Sequence, residues 1–548
     1  MLKWFRGGAP WVWLTGGAVS ISLLSVLGLL ALIGWKGLSY FWPAPLYMWQ
    51  TDNGHIMVGQ LYRSESVPVS HLREMKIPLP ASARDKGEVE RLNIKIANRD
   101  LYTADFVTLL AVNIASQTTP ANWAVIERTE DGDFYGKPLG LVTKHGTRYK
   151  NVRAHLASML ARDVKIRSQI QDVVHNQIQL ISSKAENLRL EQRSKELKGK
   201  LSSADIAHYQ RLQRDLAAQQ QAASGEIDRL RAELGQRYLL MQDMTGQQVK
   251  IPLSHVLDMW YPNQMTLVEK VTHWGKKVWA FLSDNPRESN TEGGVFPAIF
   301  GTVLLVIIMS IIVMPLGVLA AIYLHEYAKN NWVTRLIRIA VINLAGVPSI
   351  VYGVFGLGFF VYTIGTSIDK LFYAERLPLP TFGTPGLLWS ALTLAVLTLP
   401  VVIVATEEGL SRIPVTVRHG SLALGATQFE TLWRIILPMV TPAMLTGLIL
   451  AVARAAGEVA PLMLVGAVKL TSSLPVDDQF PYLHLERKFM YLGFHIYDIG
   501  FQSTNIESAR PLVYATSFLL VTVIVGLNLT AISIRNNLRE KYRTLGQD

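Results

Sequence analysis

The sequence predicts an all-α polytopic membrane protein of six transmembrane helices, with a mixed α/β external insertion that contains a long helical hairpin. Three observations carry that expectation. Charged residues make up only 17% of the 548 positions, against roughly 25% in soluble domains. Six mostly apolar runs, one of them interrupted by charge, approach or exceed the ~20 residues that a membrane helix needs. Between residues 52 and 292 those runs give way to proline-free stretches with apolar residues three and four apart. The absence of cysteine excludes a disulfide framework, a thiolate metal site and a cysteine nucleophile. The net charge of +11 sits beside the apolar runs, so membrane lipid is the expected partner and nucleic acid is not.

The first run, Gly7 to Trp35, lies between Arg6 and Lys36. It is too long for a signal-peptide core and reads as a retained helix. Gly293 to His325, Ile339 to Ile368 and Leu377 to Thr406 follow, then about Val440 to Ala467, interrupted by Arg454 and Glu458, and finally Pro511 to Ile534. The chain thus divides into a first helix with its flanks (1–51), an insertion (52–292) and a core of five helices (293–548). With the N-terminus inside, the inner segments hold 12 basic and 6 acidic residues, Lys3, Arg6, Arg335, Arg412 and Arg543 among them. The short outer loops 369–376 and 469–510 hold 6 basic and 7 acidic. That asymmetry predicts both termini in the cytoplasm and the insertion outside.

Within the insertion, stretches such as Leu92-Asn93-Ile94-Lys95-Ile96 alternate like strands, and Asp131-Gly132-Asp133 marks a turn. No proline occurs between Pro138 and Pro252. Apolar residues at 156, 160, 164, 170, 174, 178 and 181, then at 227, 230 and 234, keep helical spacing. Gly199 is a natural stop, and Ser202 with Asp205 can cap a returning helix. An antiparallel hairpin over about 151–242, roughly 60–70 Å long, is expected on a small β-containing base. Its charged faces fit plain solvation or a docked partner.

The segment 407–438 is the most informative. Ser411 to Leu424 can form one helix with Pro414 in its first turn, and Gly425 ends it. Thr427 and Glu430 have the spacing of a capping box. The helix they start is expected to place Phe429, Leu432, Trp433, Ile436 and Leu437 on one face and to stop at Pro438. An interfacial amphipathic helix would look the same.

Gly425, nine residues, Ile435, one residue, then Leu437-Pro438 resembles the G-x9-I-x-L-P part of the signature of ABC importer permeases. The resemblance implies a type I ABC importer permease fold. It makes 425–438, through Gly425, Thr427, Phe429, Glu430, Trp433, Ile435, Leu437 and Pro438, the helix that couples to the ATPase subunit. One departure is visible: the family's Glu-Ala-Ala triplet falls at His419, Gly420 and Ser421. Ala453-Arg454-Ala455-Ala456-Gly457-Glu458-Val459-Ala460-Pro461-Leu462 is similar to the A-R-x-x-G-E-T-A-P-L stretch of the phosphate permease family PstA, with Val459 for Thr. Gly346-Val347-Pro348-Ser349-Ile350-Val351-Tyr352-Gly353 and Ile322-Tyr323-Leu324-His325-Glu326-Tyr327 also fit. The likeness covers roughly 290–540 and suggests a longer PstA form with an extended N-terminal region. It implies an inner-membrane phosphate permease working with a PstC-like permease, a PstB-like ATPase dimer and a PstS-like periplasmic phosphate-binding protein.

Arg454 and Glu458, four apart, would share a helix face. Charges inside a span cost about 2.5–3.5 kcal/mol each and usually face the bundle or a watery path. They either lock two spans together or form the substrate path, Arg454 offering its fork to an oxyanion. Gly346, Pro348 and Gly353 would break the third span or let helices pack closely. The aromatic outer loop 469–510 suits an interface belt or a docking protein, and His484, His495 and Asp498 match no familiar metal set. No metal or cofactor is expected. Without G-x-x-x-x-G-K-[ST] the chain has no phosphate cradle for ATP, so it is expected to be a transport subunit and not an enzyme. Two alternatives are a sulfate or molybdate permease and a membrane sensor with an external coiled domain, though the inner segments are short for a sensor's output.

Overall fold

The computed structural model describes residues 9–74, 87–102, 104–143, 146–287, 290–329, 331–471, 473–503 and 506–544. Lys3, Arg6 and Gly7 of the sequence reading lie outside them. Two compact units emerge, Met1–Tyr40 with Ala280–Asp548, and Phe41–Trp279.

Among the described residues the first unit holds six helices long and apolar enough to cross a membrane: Trp11–Ser39, Phe296–Tyr327, Ser349–Phe372, Leu387–Ser411, Gln428–Gly457 and Ala509–Leu538. Spans two, four and five interlock through Leu305, Met309, Val313, Leu394, Val402, Ala451 and Ala455. The alanines let helix backbones come close where lipid offers no competing hydrophobic drive. Span one packs on span six, and a Cβ on Gly37 would come 2.7 Å from the Ala515 Cα.

Three expected boundaries shift. Ile339–Ile368 is not one run: Trp332–Leu344 is a separate helix and the span starts at Ser349, capped by Pro348. Proline lacks the N–H and pushes its predecessor out of helical conformation, so Gly346 and Pro348 do mark a break. Gly353 does not. It lies inside Ser349–Phe355, where a Cβ would meet the Pro461 Cα at 2.7 Å, so its role is close packing. Span four starts at Leu387, not Leu377, because Pro378, Pro380 and Pro385 interrupt the preceding stretch. Span five ends at Gly457, and Ala460–Val465 is a separate short helix.

Among its described residues the second unit contains two antiparallel sheets. One runs Phe106–Leu110, Glu88–Lys95, Ile56–Pro68, Tyr47–Thr51, Ile114–Thr118. The other runs Gln248–Pro252, Tyr238–Gln242, Phe134–Val142, Ala124–Arg128, Val256–Trp260, with Arg148–Tyr149 added to Phe134–Val142. The base is therefore larger than the small one expected, and it includes Tyr47–Thr51, which precedes residue 52. The hairpin rises as Val152–Val173 and Gln179–Leu197 around a π turn and returns as Ser203–Leu234. Ile166, Leu230 and Leu234 pack together near its root, and Val173, Ala223 and Ile227 further out. The return helix was expected to reach Gln242. It stops eight residues earlier because Tyr238–Gln242 is instead paired on both edges, with Phe134–Val142 and Gln248–Pro252.

At the hairpin tip Gly199 takes φ +64°, a left-handed value that glycine adopts without a Cβ clash. The Ser202 hydroxyl accepts from the Asp205 N–H at 3.1 Å, and the Asp205 carboxylate accepts from the Ser202 N–H at 3.1 Å. Hydrogen bonds from the Ser202 hydroxyl and backbone, then Lys195, hold that carboxyl at about 2. A depressed carboxylate stabilises the fold above its unfolded value and loses that contribution as pH falls through its folded one. The cap should thus loosen between about pH 4 and about pH 2. Pepsin nicking at the tip tests this: Ser202→Ala should be cut faster than the parent near pH 4, and the ratio should fall toward one near pH 2.

Candidate functional site

Span four runs through Ser411, and the next helix is Val415–Ala423 with Pro414 at its cap. The single helix expected over Ser411–Leu424 is therefore split, since Pro414 excludes Ile413 from helical geometry. Gly425 turns the chain at φ +89°. Thr427 and Glu430 then close the expected capping box, with reciprocal bonds of 3.2 and 3.0 Å. The Ser421 and Thr431 hydroxyls meet at 2.8 Å, clipping the two short helices together.

The helix that follows does not stop at Pro438. Leu432–Ile436 is a π turn, in which the Leu437 N–H reaches back to the Leu432 carbonyl, and the chain continues unbroken as Leu437–Gly457. The wider turn leaves room for the proline ring, so a residue that would end an α-helix is absorbed. Nor do the apolar residues share one face. Leu432 and Ile436 are buried with Val318, Ile322, Leu410 and Ile413. Phe429 and Trp433 are 65% and 61% exposed, their rings stacked with centroids 6.3 Å apart. Positions 429 and 433 lie one turn apart, and so do 432 and 436, so each pair forms its own stripe. Ile435 is half-buried, and the half-buried Leu437 packs against the Leu432 and Ile436 cluster.

Sequence reasoning missed the brace on this segment. Arg418 donates to the Glu326 carboxylate at 2.8 Å and to the Leu410 carbonyl at 3.1 Å, and His325 Nδ1 lies 3.0 Å from the same carboxylate. The end of span two thus holds the helix before Gly425. No local spacing could reveal a pair so distant in sequence. A partly buried charge-assisted bond is worth about 1.5–3 kcal/mol. Glu326→Arg should therefore lower the thermal stability of the purified protein, and adding Arg418→Glu should restore part of it.

Arg454 occupies the last turn of span five. Glu458 is the first residue beyond it, in extended geometry, with its carboxylate 3.7 Å from the Arg454 Nε. The two do pair, but from helix end to cap and not along one helical face. Both are partly buried, and Glu458 is the one carboxylate within 4.0 Å of Arg454 among the described residues. Tyr491, fully buried, donates its hydroxyl at 2.6 Å to the Ala456 carbonyl, with the Ala455 carbonyl at 3.0 Å. It thereby occupies the Ala456 carbonyl, which the helix end leaves open, and shares the Ala455 carbonyl with the Glu458 N–H. At 3.7 Å the ion pair is loose, and the guanidinium is held in place without being saturated.

The aromatic loop divides. Phe489 and Tyr491 are buried, whereas Phe480, Tyr482 and Phe501 are exposed. His484 lies 2.9 Å from Asp477 and 3.2 Å from Glu486. Burial pushes His495 down to about 4, against the opposing pull of Asp498. Among the described residues no group of three His, Asp or Glu has the geometry to hold a metal ion.

Residues 313–543 match the family model described as binding-protein-dependent transport system inner membrane component. The probable ABC transporter permease protein YqgI of Bacillus subtilis is 31% identical over 256 residues, 46% of this chain and 81% of its own. The phosphate transport system permease protein PstA 1 of Mycobacterium tuberculosis is 32% identical over 244 residues, 44% of this chain and 71% of its own. The phosphate transport system permease protein PstA of Yersinia pestis is 31% identical over 257 residues, 47% of this chain and 77% of its own.

Proposed function

This chain belongs to the family of binding-protein-dependent transport system inner membrane components, and from that premise we propose that it carries inorganic phosphate across the bacterial inner membrane. It is a permease subunit of an ABC importer; the cargo is the proposed part. The observation that supports an oxyanion cargo is Arg454, a partly buried guanidinium at the end of a span with one loosely held carboxylate beside it. Two relatives of about this identity bear the name phosphate transport permease, which favours phosphate over sulfate or molybdate, anions that an arginine fork would also suit.

In this reading Glu458 keeps Arg454 in place when the path is empty and yields it to the anion during passage. The Gly425–Pro438 segment faces the cytoplasm, as do both termini, and receives the ATPase through Phe429 and Trp433. A second, PstC-like permease, two PstB-like ATPase subunits and a PstS-like periplasmic phosphate-binding protein complete the importer, with the 41–279 unit on the periplasmic side. Closure of the ATPases would displace the 425–438 segment and switch access between the two sides. Affinity and most anion selection would belong to the binding protein.

Uptake of labelled phosphate by energised cells with and without this gene, in the presence of excess sulfate or molybdate, tests the cargo. Loss of high-affinity uptake that the competitors do not mimic supports phosphate. Unchanged uptake in cells shown to have no second phosphate importer refutes it.

A further inference from the structure

The helix Leu267–Ser283 is amphipathic in the inverse sense of a soluble helix. At 100° per residue Leu267, Val271, Gly275, Val268 and Trp279 fall on one arc of about 120°. On that arc Leu267, Val268, Val271 and Trp279 are 74%, 75%, 50% and 70% exposed. The opposite side is polar, with Lys277 and His273 turned to the protein and Lys276 mostly exposed. Lys277 pairs with Glu127 and lies 4.5 Å over the Trp260 ring, and His273 stacks 4.5 Å from the same ring. Lys276 meets Asp258 at 3.0 Å. A helix beside water would turn these two faces the other way round.

Its C-terminal turn is tied to the start of a membrane span. The Val295 N–H donates to the Phe281 carbonyl at 2.8 Å, Gly294 to Asn285 at 3.1 Å and Phe296 to Asp284 at 3.3 Å. Phe296 is the first residue of span two, so the helix ends at the level where hydrocarbon begins. We propose that its exposed apolar face is a lipid-binding surface, lying in the headgroup–acyl boundary of the leaflet from which span two starts. An interfacial helix of this kind sinks roughly 5–10 Å below the headgroups, and an exposed indole such as that of Trp279 favours that level.

The absence of cysteine makes the test direct. The full chain, reconstituted in phosphatidylethanolamine–phosphatidylglycerol vesicles, would carry single nitroxide labels at Val268→Cys, Val271→Cys or Lys276→Cys. Thr15→Cys in span one reports that the chain is inserted. Labels at 268 and 271 should show a several-fold higher ratio of oxygen to nickel-chelate collisions than the label at 276, approaching that at 15. Chelate access at 268 and 271 equal to that at 276 would place the face in water and overturn the proposal. Shielding of both labels from oxygen and chelate alike would overturn it too, by showing that protein and not lipid covers the face.

Discussion

Replacing Arg454 by glutamine is expected to cut phosphate uptake by about 100-fold while leaving the amount of protein in the membrane unchanged. The size follows from the bonds at stake. Two charge-assisted hydrogen bonds to an oxyanion, at about 1.5–3 kcal/mol each, amount to about 3 kcal/mol or more, and each 1.4 kcal/mol is a factor of ten. The preserved level follows from the geometry. Arg454 is only partly buried and its pairing with Glu458 is loose at 3.7 Å, so the variant leaves no fully desolvated carboxylate behind. Tyr491 still holds the helix end through the Ala456 carbonyl. If Arg454 instead locks the spans, the variant should lose protein from the membrane in step with uptake, and Glu458→Gln should do the same. Labelled-phosphate uptake, normalised to immunodetected protein in isolated membranes, separates the two. Glu458→Gln with normal protein and slowed uptake would fit its role as the group that holds Arg454 between passages.

What the residues disclose on their own depends on the range of each interaction. Spans are legible because about 20 apolar residues in a row are a local statement, and six helices of that kind appear among the described residues. The caps at Ser202 and Thr427 are legible because a capping box closes within four residues, and both are formed as expected. The sheets were largely illegible. Tyr238–Gln242 finds Phe134–Val142 only across the whole hairpin, and Tyr47–Thr51 finds Ile114–Thr118 across three other strands. At the candidate site the identities of Arg454 and Glu458 could be read, but not the helix end between them. Pro438 misled because proline rules assume an α turn, and the π turn at Leu432–Ile436 suspends that assumption. Gly353 was open to two readings, a break or close packing, and what decides for packing is the backbone of Pro461, a neighbour in space that no spacing announces. Tyr491 was one aromatic among seven in its loop, and nothing local marked it as the residue that caps span five.

The double substitution Phe429→Ala, Trp433→Ala should release the ATPase subunit from the permease and abolish uptake without unfolding the chain. Buried interface aromatics typically cost 2 kcal/mol or more each when truncated, so the pair together predicts a loss of co-purified ATPase of several hundred-fold. The fold should tolerate the change because both rings are mostly exposed and stack chiefly on each other. The neighbours that anchor this turn, Leu432 and Ile436, point the other way into a separate cluster. The same exposure fits an interfacial helix that merely rests on lipid, and the two roles predict different losses. A lipid-resting pair, truncated, would leave the ATPase bound and the importer active. A docking pair would leave a membrane-inserted permease with an intact capping box at Thr427 and no motor. The contrasting substitution Leu432→Ala, on the buried stripe, should cost about 2–5 kcal/mol of stability, and it should lower the amount of folded protein before it affects docking. Measuring ATPase retention per folded permease for both variants therefore distinguishes a surface that binds from a turn that only holds its shape.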